Sequence, residues 1–260
     1  RGMVERAAAL DRHLAETGEI EALLAGLAGG LVAPGAGGDP IRNPDVPSGR
    51  NLFPFEPDKI PTQAAYEAGG KALQQLVDAY RADHDGAAPG KLAFSLWSGE
   101  TMRHLGVVES QVLHALGLRP VWDAGGRVVA LDIVPVSELR RPRIDVVLQV
   151  TSVYRDQFDG FMRLLADAIA RLAARDEPDN AIALNTRRVA RTLTAQGMAT
   201  PRAEELAALR IFSNAPSDYG TSLPGKVLQS TTWDKDAPLA EAFLDRLQYA
   251  YGAKDWDVRD

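Results

Sequence analysis

Glu100 and His104 stand four residues apart in the segment WSGETMRH (97–104), and Gln111 follows seven residues after His104. Steps of four and seven return to nearly the same side of a helix. A helix over 101–117, with Glu100 at its first turn, therefore carries all three on one face. A carboxylate and an imidazole so related can accept and pass on protons, or touch a metal ion in transit. They also fit a plainer role, as a first-turn acid favoured by the helix dipole and a half-exposed surface histidine. Ser98 and Gly99 permit a tight turn ahead of the helix, and the free N–H groups of its first turn suit an anion. Glu109 falls on the core side, among Leu105, Val108, Val112 and Leu116. A charge there needs a partner, and Arg119 and Arg141 are the candidates.

Two more groups flank one strand. RPRID (141–145) and YRD (154–156) bracket the uncharged run Val146–Val153. That run reads as a buried parallel strand over about 143–151. RPRID and YRD lie at its opposite ends, roughly 30 Å apart at about 3.3 Å per residue, so they cannot form one site. Arg143 and Asp145 share a sheet face, which suggests structural ion pairs. Arg155 and Asp156 lie at the C-terminal end, where open α/β sheets bind ligands. If the strand candidate over 91–97 runs parallel to this one, Glu100 and His104 come close to Arg155 and Asp156. A third group, NAPSDYGTSLPGK (214–226), is rich in Gly, Pro and Ser and carries Tyr219 and Lys226.

The surrounding elements follow from periodicity. Residues 3–28 read as a helix with a soft break at Gly18. Residues 29–61 carry Gly and Pro at almost every turn, yet also Leu52, Phe53, Phe55 and Ile60. They are expected to form an ordered, extended loop packed on a surface. Thr62 suits the N-cap of a helix over 63–83. Gly117 suits the stop of the helix over 101–117. Val121–Val134 suggests a hairpin, and helices are expected at 159–174, 181–196, 202–210 and 237–251, with 211–234 irregular. The fold class is α/β: a parallel-core sheet with flanking helices and long, ordered Gly/Pro-rich loops. Three divisions are expected: a helical segment and extended loop (1–61), an α/β domain (62–180) and a mostly helical segment (181–260).

Composition excludes several function classes. The 260 residues are 45% hydrophobic and 25% charged, with a net charge of −6. No Lys/Arg block points to nucleic acid. With no cysteine, disulfides, thiolate metal sites and a Cys nucleophile are excluded. The lack of cysteine also fits a cytoplasmic location, and there is no run of apolar residues long enough for a membrane span and no signal-peptide layout. The chain begins at Arg1 in mid-pattern, which reads as part of something longer. Walker A, GxGxxG, HExxH, GxSxG and EF-hand patterns are all absent, and the four histidines are scattered.

Taken together, the segments match one family. PSGRNLFPFEPDKIPT (47–62) resembles a segment of the large subunit of the cobalt and magnesium chelatases, which insert a metal into a tetrapyrrole ring. LWSGETMRHLGVVESQVLHALGLRPVWDAGGRVV and ELRRPRIDVVLQVTSVYRDQF are similar to two further blocks of that family. DEPDN, RIFSNAPSDYGTSL and YAYG follow in the same order. Three departures stand out: Arg140 where the family has Gly, Thr151-Ser152 in place of Ser-Gly, and Asp159-Gly160 in place of Pro-Asn.

The resemblance covers the chain from about residue 20, and intact subunits of the family are several times longer. It implies a tetrapyrrole-binding subunit that performs metal insertion, with ATP hydrolysed by a separate AAA+ subunit and a metal-ion-adhesion-site subunit. The details lean to the cobalt branch, with Co2+ as substrate metal and hydrogenobyrinic acid a,c-diamide as ring. Mg2+ and protoporphyrin IX are the alternative, as is a non-catalytic tetrapyrrole, metal or subunit-docking module. On this reading Glu100 and His104 are catalytic, as proton acceptors or transient metal contacts. Trp97, Gln111, Arg155, Asp156 and Tyr219 would bind substrate, with Trp97 and Tyr219 stacking on the ring.

Overall fold

The computed structural model describes residues 2–15, 18–33, 49 and 56–258. It divides into two compact units, Arg1–Glu56 and Pro57–Asp260. In the first, α1 (Gly2–Ala15) and α2 (Glu19–Leu27) replace the single expected helix, with Gly18 as the N-cap of α2. Leu52, Phe53 and Phe55 of the Gly/Pro-rich loop lie outside the described residues.

The second unit begins with a 3-10 turn, Pro57–Lys59, and the buried Ile60. Thr62 caps α3 (Gln63–Asp83) as expected, its hydroxyl accepting from the Ala65 N–H at 3.2 Å. Ala65, Gly69, Leu73 and Val77, at four-residue steps, form its buried seam. β1 (Lys91–Leu96) follows, then α4 (Ser98–His104) and α5 (Val107–Leu116), which packs on α3. The single helix expected over 101–117 is thus two. Leu105 and Gly106 between them take left-handed φ values of 56° and 95°. A Cβ at Gly106 would lie 2.6 Å from Pro61 Cα, so a residue without a side chain is needed where the α3 N-terminus passes.

The hairpin is present as β2 (Leu118–Trp122) and β3 (Val128–Ile133), paired antiparallel in a sheet of their own. Asp123 Oδ1 accepts the Gly125 and Arg127 N–H groups and closes its turn. A short α6 (Val136–Leu139) leads to β4 (Asp145–Val150). Two helices follow β4, α7 (Ser152–Gln157) and α8 (Asp159–Ala173), then α9 (Ala181–Ala195) and α10 (Thr200–Ala207).

The region expected to be irregular holds β5 (Ile211–Ser213) and α11 (Leu223–Leu228). The closing helix is shorter than expected. α12 (Ala237–Arg246) stops, and Tyr249–Tyr251 becomes β6, followed by β7 (Trp256–Val258). Ala250 and Tyr251 are buried and β6 pairs with β5, so tertiary pairing overrides the helical pattern there.

The main sheet has the order β1-β4-β5-β6-β7. β1, β4 and β5 are parallel, in register from Lys91 opposite Asp145 to Leu96 opposite Val150, and β6 and β7 add antiparallel pairs. The expected parallel core is therefore three strands wide. Val146, Leu148 and Val150 of β4 are fully buried at its centre. α5 packs on β1 and β4, and α9 on β4.

Candidate functional site at the strand ends

The three parallel strands end side by side at Leu96, Val150 and Ser213. Their following segments are tied together. Ser98, at the start of α4, donates its hydroxyl to the Gln157 side-chain carbonyl at the end of α7. Thr151 caps α7 through Oγ1, which accepts from the Tyr154 N–H at 3.4 Å. Arg155 reaches from α7 to the carbonyls of Asn214 (3.0 Å) and Ala215 (2.6 Å) after β5. Its Nε donates to Asp156 Oδ1 at 2.8 Å. The Tyr219 hydroxyl donates to Asp156 Oδ2 at 2.7 Å, and the Tyr219 ring lies 5.9 Å from the Arg155 guanidinium carbon. The bond to Asp156 holds the Tyr219 hydroxyl above its ordinary pKa. The Gly220 N–H approaches Ser152 Oγ at 3.5 Å, and the Asn214 amide donates to the Gly220 carbonyl at 2.6 Å.

Trp97, Arg155, Asp156 and Tyr219 therefore share one edge of the sheet, but in different states. Trp97 is 58% exposed and its indole N–H donates to Ser95 Oγ at 3.0 Å. Tyr219 is 59% exposed. Arg155 is buried, with its guanidinium on two backbone carbonyls and a carboxylate, so it fastens the loop after β5 to α7. Ser98, Ser152, Gln157 and Asn214 complete this fastening. Ser98 stood out only as a turn residue and Ser152 only as a departure from the family pattern, and nothing in the sequence singles out Gln157 or Asn214, because each acquires its partner only when the strands align.

Glu100 is exposed and pairs with Arg103 at 3.2 Å, one turn along α4. His104 Nδ1 accepts the N–H groups of Gly106 (3.1 Å) and Val107 (3.0 Å). The ring thereby caps α5, a role with no sequence signature because a helix break had to precede it. Nδ1 is then the unprotonated nitrogen and Nε2 carries the ring hydrogen. The break also separates Gln111, on α5, from Glu100 and His104, on α4. The expected common face therefore holds for the pair and not for all three. No hydrogen bond joins Gln111 to them among the described residues.

Glu109 is fully buried, but neither expected partner reaches it. Arg119 pairs with Glu138 at 2.9 Å, and Arg141 donates to the carbonyls of His114, Ala115 and Pro142. Glu109 instead accepts the Thr101 hydroxyl at 2.5 Å. At the other end of β4, Arg143 and Asp145 do form the expected structural ion pairs, with Glu177 at 2.7 Å and Arg210 at 2.9 Å.

Two apolar grooves open elsewhere and contain none of the expected site residues. One, of about 890 Å³, lies among α8, α9 and α10, and the other, of about 430 Å³, between α8, α10 and the turn 252–255. Among the described residues, no group of three or more His, Asp or Glu is placed to hold a metal ion. No helix among them is long and apolar enough to cross a membrane.

The family model described as CobN/Magnesium Chelatase matches residues 2–259. The aerobic cobaltochelatase subunit CobN of a Sinorhizobium species is 38% identical over 90% of this chain and 19% of its own length. The chloroplastic magnesium-chelatase subunit ChlH of Oryza sativa subsp. indica is 36% identical over 90% of this chain and 16% of its own. A solved structure of the catalytic subunit of cobaltochelatase from Mycobacterium tuberculosis superposes with a TM-score of 0.79 at 35% identity, over 94% of this chain and 20% of that one. The chain spans a fifth or less of the length of these relatives. Matched along nearly its whole length in sequence and in fold, it belongs to the CobN/magnesium chelatase family.

Proposed function

We propose that this chain is part of the tetrapyrrole-binding large subunit of a metal chelatase, and that the C-terminal edge of its parallel sheet lines the ring's cavity. The observation that carries the reading is that the segments bearing Trp97, Asp156 and Tyr219, far apart in sequence, follow strands β1, β4 and β5 whose ends lie side by side. Inserting a divalent metal removes two protons from ring nitrogens and strips water from the ion. Glu100, exposed and at the start of α4, accepts protons and touches the metal in transit. His104 takes part as a hydrogen-bond donor through Nε2–H, because Nδ1 holds the α5 cap, and proton acceptance and metal contact fall to Glu100. Trp97 and Tyr219 present aromatic faces to the macrocycle. Arg155 and Asp156 orient Tyr219, and Gln111 supplies a polar contact from α5.

The preferred reaction is cobalt insertion into hydrogenobyrinic acid a,c-diamide, on the cobalt-branch motifs GETMRH and RIFSNAPSDYG. Magnesium insertion into protoporphyrin IX is the second reading, supported by the 36% identity to a magnesium-chelatase relative. On either reading ATP is used by an AAA+ partner and a metal-ion-adhesion-site partner, within a cytoplasmic complex. The test is a titration of the 260-residue chain with both rings, following tryptophan fluorescence. Saturable binding of one ring, weakened when Trp97 is replaced by Ala, is the expected result. No binding by folded protein moves the substrate site to other parts of the subunit. Substituting Glu100 by Gln in the full-length subunit is expected to slow metal insertion while the ring still binds.

A further inference from the structure

Glu109 is the buried group that the strand-end reading leaves unused. It lies on α5 with no exposed surface. Two helices reach it. From α4, Thr101, itself 1% exposed, donates its hydroxyl to Oε1 at 2.5 Å. From α7, the fully buried Tyr154 brings its hydroxyl near the Glu109 carboxyl group. Neither that hydroxyl nor Oε2 has a hydrogen bond of full geometry. Among the described residues no Lys or Arg pairs with Glu109. The titratable groups that face it are His104 on α4 and Tyr154 on α7.

A carboxylate buried without a cation costs several kcal/mol. The neutral acid avoids that cost. Its carbonyl oxygen accepts from Thr101, and its other oxygen and the Tyr154 hydroxyl share a single hydrogen bond without a buried charge. Burial pushes the Glu109 carboxyl above the ordinary carboxylate range, and pushes the Tyr154 hydroxyl well above its own. α4 and α7 are the helices that leave the ends of β1 and β4. They carry Glu100 at one side of the strand-end site and Arg155 and Asp156 at the other.

We propose that Glu109 is a positioning residue: as an uncharged acid it ties α4 to α7 and so fixes the two sides of the strand-end site against each other. This rests on the proposed function only for what the site binds.

Wild type, E109Q and E109A forms of the 260-residue chain test it. Infrared difference spectra of wild type against E109Q at neutral pH are expected to show the carbonyl band of a protonated carboxylic acid. The Gln amide keeps one donor and one acceptor in the same shape, so E109Q is expected to bind the ring within about twofold of wild type and E109A about tenfold more weakly. Amide exchange in α4 and α7 is expected to quicken in E109A and stay unchanged in E109Q. A carboxylate band in the wild type overturns the proposal. So does a folded E109Q that loses affinity as fully as E109A, or an E109A that binds and exchanges as wild type does. If wild type binds no ring, the strand-end reading fails, and the infrared band and the amide exchange decide this proposal alone. If E109A does not fold, Thr101→Val removes one arm of the tie and is expected to shift exchange in the same direction; no shift overturns the tie.

Discussion

Asp145 opens β4, and Glu109 sits on the helix that packs against that strand; neither has any exposed surface. Asp145 is fully provided for. It accepts from Arg210 Nε at 2.9 Å, Asn185 Nδ2 at 2.8 Å and the Val146 N–H at 2.9 Å, with Lys91 at 3.3 Å. Arg210 in turn donates to the carbonyls of Ala207 and Leu209 and to Thr186 Oγ1. Arg143, two residues earlier, covers the carbonyls of Leu116, Gly117 and Val134 as well as Glu177. It lies so close that a Cβ at Gly117 would fall 2.3 Å from its Nη1. Glu109 has one hydroxyl donor and an unpartnered oxygen. The start of the sheet is thus a closed network of paired charges, which holds structure. At its finish Arg155 and Asp156 are paired, but the buried Glu109 has no cation to compensate it, as expected where a ligand edge must be shaped.

The same substitution at both positions tests this contrast. Asp145→Leu leaves Arg210 buried beside no counter-charge, at an expected cost of about 3–5 kcal/mol. Glu109→Leu removes a neutral acid and leaves two hydroxyls, with an expected cost of about 1–2 kcal/mol. Urea unfolding of the two variants measures both. Equal losses would mean that Glu109 is charged and that the two ends do not differ.

The backbone at the paired end supplies a smaller test. Arg140 follows α6 with φ 54°, in the left-handed region, and its side chain is exposed. Gly suits this conformation, in keeping with the family pattern that the segment ELRRPRID resembles. A side chain there costs about 1 kcal/mol, partly offset because Gly loosens the unfolded chain. Arg140→Gly is expected to raise stability by about 0.5 kcal/mol while leaving the Arg143 and Asp145 network intact. A loss of stability would show that the Arg140 side chain contributes to the paired end.

Periodicity and caps made much of this fold legible: Thr62 fixed the start of α3, Gly117 the stop of α5, and the uncharged run after Asp145 the central strand. The break at Leu105–Gly106 was not legible, because it depends on Pro61 passing 2.6 Å from where a Cβ would sit. β5 and β6 were missed because three-residue strands carry little pattern and are settled by their neighbours. Among the candidate site residues, the types were visible and the partners were not. Arg155 read as a substrate contact oriented by Asp156, and only the alignment of β4 with β5 shows that it also holds the carbonyls of Asn214 and Ala215. Glu109 was recognisable as a buried acid, but its lack of a cation depended on Arg119 and Arg141 turning to other partners.

His114, near the end of α5, gives the smallest and most directional test, because its neutral state parallels that of Glu109 with the opposite sign. Its ring stacks on Tyr66 with centroids 4.1 Å apart, and Nε2 lies 2.9 Å from the Tyr66 carbonyl. Burial, with the nearby Arg141 charge acting in the same direction, lowers its pKa below 6.5 despite the bond to Tyr66. The unfolded chain therefore takes up a proton on this ring at a higher pH than the folded chain does. Between those two values the unfolded state binds more protons, so stability falls as pH drops through 6.5 toward the folded pKa. For Glu109, whose folded pKa is raised, the sign reverses: its contribution is complete below 4.5 and declines as pH rises toward the folded pKa. Because His114 is only partly buried, solvent screening should keep its effect well under about 1 kcal/mol. Thermal unfolding of wild type and His114→Gln at pH 7.5 and 5.5 measures it. A wild type that loses no more stability than the variant on acidification would show that the ring is protonated in the folded chain, leaving Glu109 as the one uncompensated group on α5.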